Sequence, residues 1–304
     1  MNAPIAKPYD LDDRRAYDLW REAKLAAFPV RAQTRVVRIR ELANPSVSEI
    51  HAVAESCARA NLAVFAVDTP QIAQEARLAL PAFASAFGLF EHERHRSAAD
   101  DGVVALEVSQ TRARGGFIPY TDRPLNWHTD GYYNNPHTPI RAFILYCARQ
   151  APVGGENQLL DPDIAYIRLR DENPAFVAAL MHQSAMTIPQ HVEENGDVRP
   201  ASVGPVFSID PATGALNMRY TARSRNIAWR DDADTSAAVA FLGRLLRDGD
   251  PLMVRHRLEP GQGLICNNVL HNRTRFEDAA GAGSGRLLYR MRFPRRISGS
   301  AAGN

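Results

Sequence analysis

His128 and Asp130 stand two positions apart in the run Asn126-Trp127-His128-Thr129-Asp130-Gly131. On an extended strand, residues i and i+2 project to the same face, so this imidazole and this carboxylate can converge on one point. A second histidine, His271, ends a distant apolar run, Gly263-Leu264-Ile265-Cys266-Asn267-Asn268-Val269-Leu270, which itself has strand character. Two imidazoles and one carboxylate around an ion with open coordination positions form the ligand set of non-haem Fe(II) oxygenases. A histidine and an aspartate at this spacing also recur by chance, and alone the pair fits an ordinary surface strand. Its weight depends on whether the rest of the chain can bring His271 to it.

The spacing of apolar residues predicts a helix over about residues 10–28, with Leu19, Trp20 and Ala23 on one stripe among charges. A strand-like Val36-Val37-Arg38-Ile39 stops at Pro45, and Ser46 with Glu49 fits a capping box for a second helix. Leu62 to Val67 reads as a strand, and Thr69 followed by Pro70 as the start of a third helix that kinks at Pro81 before Gly88. Val103 to Val108 and Ile140 to Cys147 read as strands, with a turn at Gly154-Gly155. Asp161-Pro162 and Asn173-Pro174 mark two short helices. Val206 to Ile209 and Leu216 to Tyr220 form a hairpin through Pro211-Ala212-Thr213-Gly214. Asp232 to Arg247 is amphipathic and ends before Gly249. Strands return at Met253 to Leu258, Gly263 to Asn267 and Arg286 to Phe293. Gly281 to Gly285 reads as a flexible loop.

Helices followed by strands and turns point to an α+β fold, a two-sheet jelly roll with helices packed outside it. No Pro/Gly-rich linker divides the 304 residues, so residues 1–304 are expected to form a single domain, with a helical N-terminal part of about residues 1–100 on the jelly roll. At 45% hydrophobic and 23% charged the composition is that of a globular protein, and the formal charge of +2 argues for neither nucleic acid nor membrane as a partner. Three cysteines without short spacing exclude a disulfide framework and a Cys-based zinc site. Cys147 and Cys266 are expected to be buried. Met1-Asn2-Ala3-Pro4 leads directly to charged residues, and no apolar run reaches membrane-spanning length, so the cytoplasm is the expected compartment. A small-molecule substrate is the expected partner, and a homo-oligomer is compatible with the sequence.

Four motifs together are more specific than any one: NWHTDG at 126–131, PVGGEN at 152–157, GLICNNVLHNRTRF at 263–276 and RLLYR at 286–290. Through them the chain resembles the taurine catabolism dioxygenase (TauD/TfdA-type) family of Fe(II)- and 2-oxoglutarate-dependent oxygenases, in order over roughly residues 60–293. The resemblance implies a double-stranded β-helix core. It also implies that His128, Asp130 and His271 bind Fe(II), and that Arg286 holds the distal carboxylate of the co-substrate 2-oxoglutarate. A guanidinium fork suits that carboxylate in a way that a lysine does not. Asn157 stands where the taurine enzyme has a threonine touching the same carboxylate. Arg290 matches an arginine that contacts the anionic group of the substrate, and serves here either that role or a structural ion pair. The segment between His271 and Arg286 is longer than in the taurine enzyme, which leaves Arg290, Arg275 and Arg273 as competitors for the co-substrate. Arg273 is expected to make a loop salt bridge.

The implied reaction consumes O2 and 2-oxoglutarate, releases succinate and CO2, and hydroxylates an unactivated C–H bond of a small anionic or amino-acid-like substrate. Desaturation or cyclisation by the same family chemistry stays open, as do a metal-dependent hydrolase and a non-catalytic metal-binding jelly roll. Around the site, Gly115 to Tyr120, Tyr132, Tyr133, Asn134, Arg223 and Arg225 are substrate-side candidates that ordinary loop packing explains equally well. Glu91 to Arg96 and the arginines from Arg292 onward read as solvated.

Overall fold

The computed structural model describes residues 8–28, 36–69, 72–93, 100–109, 117–192, 196–278 and 285–298. Two sheets face each other. The larger has six strands in the order Val37–Ile39, Leu62–Val67, Gln262–Cys266, Ala142–Arg149, Leu287–Phe293, Val104–Leu106. The smaller has four, in the order Val254–His256, Asn157–Leu160, Leu270–Arg273, Leu125–His128. In chain order the strands alternate between the sheets: Leu125–His128 in the small one, Ala142–Arg149 in the large one, Asn157–Leu160 in the small one, and again through 254–293. That alternation is the jelly roll expected from the sequence.

The large sheet is buried on both faces, and its strands accordingly read as continuous apolar runs. Leu62, Val64, Phe143, Leu145, Cys147, Leu264 and Cys266 point inward to the space between the sheets. Their neighbours Ala63, Phe65, Ile144, Tyr146 and Ile265 point outward, under helices Val47–Ala60 and Ala73–Ser85. The first of these helices has the expected capping box at Ser46 and Glu49. The second begins at Ala73 with Ile72 as its cap and no side-chain hydrogen bond, so Thr69 does not cap it; Pro70 lies outside the described residues. It continues through Pro81 to Ser85. Helices Pro162–Glu172, Pro174–Leu180 and Ala233–Asp248 begin at Asp161, Asn173 and Asp232, whose side chains each accept a hydrogen bond from the first turn.

The N-terminal helix Arg14–Ala27 docks through two kinds of contact. Tyr17 and Trp20 pack against Tyr166. Lys24 is buried and its Nζ lies 2.7 Å from Asp161 and 2.9 Å from Asp163. Burial alone would lower the Lys24 pKa; the two carboxylates outweigh it and raise it. Lys24→Ala leaves two buried carboxylates facing each other, and is expected to cost about 3–5 kcal/mol, read as a lower urea midpoint. A loss below about 1 kcal/mol would mean that water screens this pair as it does surface ion pairs.

Candidate metal centre

Strand pairing brings the two histidines together. His271 and His128 are direct partners across the antiparallel pair of Leu270–Arg273 and Leu125–His128. Directly opposed side chains sit roughly 5 Å apart at Cβ, and the imidazole centroids are 4.2 Å apart. Asp130 follows His128 by two residues, so the carboxylate joins the same face. One ligand atom from each of the three residues lies within 4.8 Å of the others, and all three residues are buried.

The hydrogen bonds leave the metal-facing atoms free. His128 Nδ1 bonds to Asn126 O at 2.8 Å and His271 Nδ1 to Val269 O at 2.9 Å. A carbonyl only accepts, so each Nδ1 carries the proton and each Nε2 keeps its lone pair. Burial pushes the His128 imidazolium down to about 3, with His271 adding to the shift, and burial also lowers His271. Both rings are therefore neutral at ordinary pH, as ligands must be. Burial would raise Asp130, but Arg290 and Arg292 outweigh it and hold the carboxyl below its usual range. Its Oδ2 is buried with no hydrogen-bond partner. Such an orphan is costly unless a ligand satisfies it. Neutral Nε2 donors and an orphaned carboxylate oxygen fit a divalent ion.

Backbone geometry fixes Asp130 in place. Gly131 has φ +68°, and a Cβ there would lie 2.5 Å from Ile140 Cγ1, so only glycine allows the chain to turn after the carboxylate. Asn268, itself at φ 48°, accepts from Asp130 N at 2.8 Å and donates to Asp130 O at 3.0 Å and Ile140 O at 2.7 Å. It ties the Asp130 turn to the strand carrying His271. Asn268 is not among the residues singled out by spacing; its only sequence signal is an asparagine, a residue tolerant of left-handed backbone, just before a strand. Asn268→Ala is expected to weaken Co(II) binding about 10–100-fold, as removing an outer partner of a ligand does. An unchanged affinity in a folded variant would rule out the tie.

The last strand lines this site with arginines. Leu288, Arg290 and Arg292 alternate with Leu287, Tyr289 and Met291, and the first set faces inward. Arg290 Nη1 is 3.5 Å from Asp130 Oδ1, and its Nε is buried without a hydrogen-bond partner. Arg292 is buried rather than solvated: it pairs with Glu93, donates to the Tyr133 hydroxyl at 3.0 Å and lies 3.9 Å from Asp130. The expectation failed because Leu287–Phe293 is flanked by strands on both sides and is not a sheet edge. Glu93, read as solvated, is Arg292's partner; residues 94–96 lie outside the described set.

Arg286 is buried, with its guanidinium carbon 4.9 Å from the Phe276 ring centre and next to Gly155. Burial lowers its pKa to about 10, which leaves it charged at neutral pH. Among the described residues no carboxylate forms an ion pair with it. Asn157 is buried on the strand facing His256 and Arg273. Arg273 does not make the expected salt bridge: it is buried and donates to the carbonyls of Thr121, at 2.8 Å, and Arg123. Arg275 is exposed and lies 3.7 Å from Asp122, away from the interior. Cys57, Cys147 and Cys266 are buried free thiols. Of the substrate-side candidates, Tyr132 and Tyr133 adjoin the site, Asn134 donates to Glu93 at 2.9 Å, and Arg225 is exposed with no contact to the site. Gly115 and Gly116, and residues 281–284 of the Gly-rich loop, lie outside the described residues. No helix among the described residues is long and apolar enough to cross a membrane.

A family model described as taurine catabolism dioxygenase TauD, TfdA family matches residues 33–292. A uridine-5'-phosphate dioxygenase from Amycolatopsis sp is 33% identical over 162 residues, which cover 50% of this chain and 55% of the relative. The matched region thus spans about half the length of that relative. Among solved structures, the non-heme iron oxygenase OrfP in complex with Fe, succinate and (3S)-hydroxy-L-Arg has a TM-score of 0.59 at 16% identity, covering 94% of this chain and 85% of the other. Asparagine oxygenase in complex with Fe(II), 2S,3S-3-hydroxyasparagine and succinate gives 0.58 at 15% identity, covering 81% and 78%. A taurine dioxygenase from Burkholderia xenovorans gives 0.54 at 21% identity, covering 83% and 84%. These likenesses establish the fold.

Proposed function

Because this chain belongs to the taurine catabolism dioxygenase TauD, TfdA family, we propose that it is an Fe(II)- and 2-oxoglutarate-dependent oxygenase that hydroxylates a C–H bond of a small anionic substrate. The observation that carries this reading is the buried His128–Asp130–His271 cluster, with two neutral Nε2 donors and an orphaned carboxylate oxygen. Ferrous ion bound there supplies activation of O2, coupled to oxidative decarboxylation of 2-oxoglutarate to succinate and CO2. His128 and His271 hold the ion in their Nδ1-protonated tautomer, and Asp130 supplies its one negative ligand. Arg290 and Arg292 keep Asp130 ionised.

Arg286 seats the distal carboxylate of 2-oxoglutarate. Its buried guanidinium, without an ion pair among the described residues, belongs to the residue just before the strand of Arg290, roughly 13 Å along the backbone at about 3.3 Å per residue. Asn157, buried and paired with Arg273 across the small sheet, is the lesser candidate for the same carboxylate. Arg275 is exposed beside Asp122 and turned away from this seat, whereas Arg273, which spends its Nη2 on the carbonyls of Thr121 and Arg123, stands over the same Phe276 ring as Arg286 and adds positive charge to it.

Charge favours an anionic substrate. Two carboxylates, Asp130 and Glu93, accompany four buried guanidiniums, Arg273, Arg286, Arg290 and Arg292. A doubly charged ferrous ion and a doubly charged 2-oxoglutarate would cancel, so two positive charges stay uncompensated. The relative that acts on a uridine phosphate agrees with this sign. A soluble protein of a reducing cytoplasm is the compartment that the three free thiols support.

The test is succinate release from 2-oxoglutarate, with and without a panel of small anions. Release that requires both Fe(II) and O2 supports the oxygenase. Product formed without O2 would favour the metal-dependent hydrolase, and iron binding without release would favour a binding protein.

A further inference from the structure

Beyond the metal ligands and Arg286, two more guanidiniums, those of exposed Arg223 and half-buried Arg199, stand over the tyrosines that adjoin the centre. Arg199 is held in the strand pair of Val198–Arg199 with His191–Val192, and Arg223 is placed by the strand that carries His128. Thr221 is bridged to His128, Thr129 N donates to Tyr220 O at 3.0 Å, and Ala222 N donates to Trp127 O at 2.8 Å. Arg223 therefore sits two residues along from the direct neighbour of a metal-ligating histidine. Its guanidinium carbon lies 5.7 Å from the Tyr132 ring centre, and the Tyr132 ring stands edge-on to His128 at 6.3 Å. Tyr133 packs against Tyr132 at 5.2 Å, and the guanidinium carbon of Arg199 lies 5.8 Å from the Tyr133 ring centre.

The hydrogen bonding leaves several donors here unused. The Tyr133 hydroxyl accepts from Arg292 Nη1 at 3.0 Å, so its own proton remains to be given. Arg199 Nη1 is buried without a hydrogen-bond partner, and its Nη2 makes one long bond, 3.4 Å to Pro189 O. Among the described residues neither Arg199 nor Arg223 forms an ion pair with a carboxylate. Two cations sharing one aromatic pair repel each other, and an orphaned guanidinium nitrogen is costly, unless an anion comes between them. A carboxylate is planar, carries one charge and is satisfied by one fork. Two guanidiniums and two phenol protons match a tetrahedral oxyanion of two charges.

We propose that Arg199 and Arg223, with the hydroxyls of Tyr132 and Tyr133, form the seat for the phosphate group of a phosphate-monoester substrate, placing its carbon skeleton over the His128–Asp130–His271 centre. This rests on the oxygenase reading for what the seat serves, but its test does not require turnover. The protein is loaded with Zn(II) and 2-oxoglutarate and titrated with inorganic phosphate, with acetate as the monoanionic control at equal ionic strength. Arginine Nε–H NMR signals are followed, assigned from Arg199→Gln and Arg223→Gln.

Both signals are expected to shift along one saturation curve with phosphate and to be unaffected by acetate. The double variant is expected to bind phosphate at least ~10-fold more weakly while keeping its affinity for 2-oxoglutarate, since one lost charge-assisted contact is already worth about 1.4 kcal/mol or more. Absence of a phosphate-dependent shift in the wild type, an equal response to acetate, displacement of 2-oxoglutarate by phosphate, or undiminished binding by the folded double variant would each overturn the seat. Iron- and O2-dependent succinate release, measured separately, tells failure of the seat from failure of the oxygenase reading.

Discussion

His271→Ala and Asp130→Ala are both expected to lower the affinity for Fe(II) by more than about 100-fold, since even outer partners of metal ligands are worth 10–100-fold. The two variants should differ in another respect. His271 is neutral, and its removal leaves a small space beside Phe143, whose ring centre is 4.7 Å from the imidazole. The metal-free fold should lose only the modest stability of a truncated buried ring. Asp130 instead faces Arg290 at 3.5 Å and Arg292 at 3.9 Å. Without it, two buried guanidiniums confront each other with Glu93 as the remaining carboxylate. Breaking a buried charge cluster costs about 3–5 kcal/mol. Asp130→Ala should therefore be markedly less stable than His271→Ala by urea denaturation of the apo-protein, although both lose iron. Equal stabilities would mean that Arg290 and Arg292 do not depend on this carboxylate. Retained iron affinity in either variant would remove that residue from the ligand set.

Arg286→Ala is expected to raise the 2-oxoglutarate concentration needed for half-saturation by roughly 30-fold to several thousand-fold, because losing one partner of a buried hydrogen-bonded charge pair costs about 2–5 kcal/mol. Iron affinity should change little, since Arg286 touches Phe276 and Gly155 rather than any of the three ligands. Arg286→Lys should fall between, because it restores the charge but not the two-pronged fork. Isothermal titration of Mn(II)-loaded protein with 2-oxoglutarate separates the two affinities. If Arg290→Ala shows this pattern and Arg286→Ala does not, the co-substrate seat lies two pleat repeats closer to Asp130.

The ligand pair was legible because strand spacing alone places His128 and Asp130 on one face, and the apolar run before His271 marks a second strand. The pairing of His271 with His128 was not legible, since it arises from register between strands far apart in sequence. Helix starts at Ser46, Asp161, Asn173 and Asp232 were legible because caps are local chemistry. The third helix start was not: Thr69 and Pro70 carry the local signal, but the helix begins three residues after Pro70, at Ala73. Arg292 and Arg273 were misread for one reason. A charged side chain looks solvated until tertiary structure supplies buried partners, here Glu93 and Tyr133 for Arg292 and backbone carbonyls for Arg273. Asn268 was invisible because its role lies in two backbone groups of Asp130, far away in sequence.

The most direct measurement is optical. Fe(II) and then 2-oxoglutarate are added to the protein without O2, and the visible charge-transfer absorption of a keto acid chelated to ferrous ion is followed. The band is expected to saturate at one equivalent of iron in the wild type, to vanish in His271→Ala, and to need far more 2-oxoglutarate in Arg286→Ala. Iron bound by the wild type with no band on adding 2-oxoglutarate, or a band of full strength in His271→Ala, would contradict the assignment of this centre.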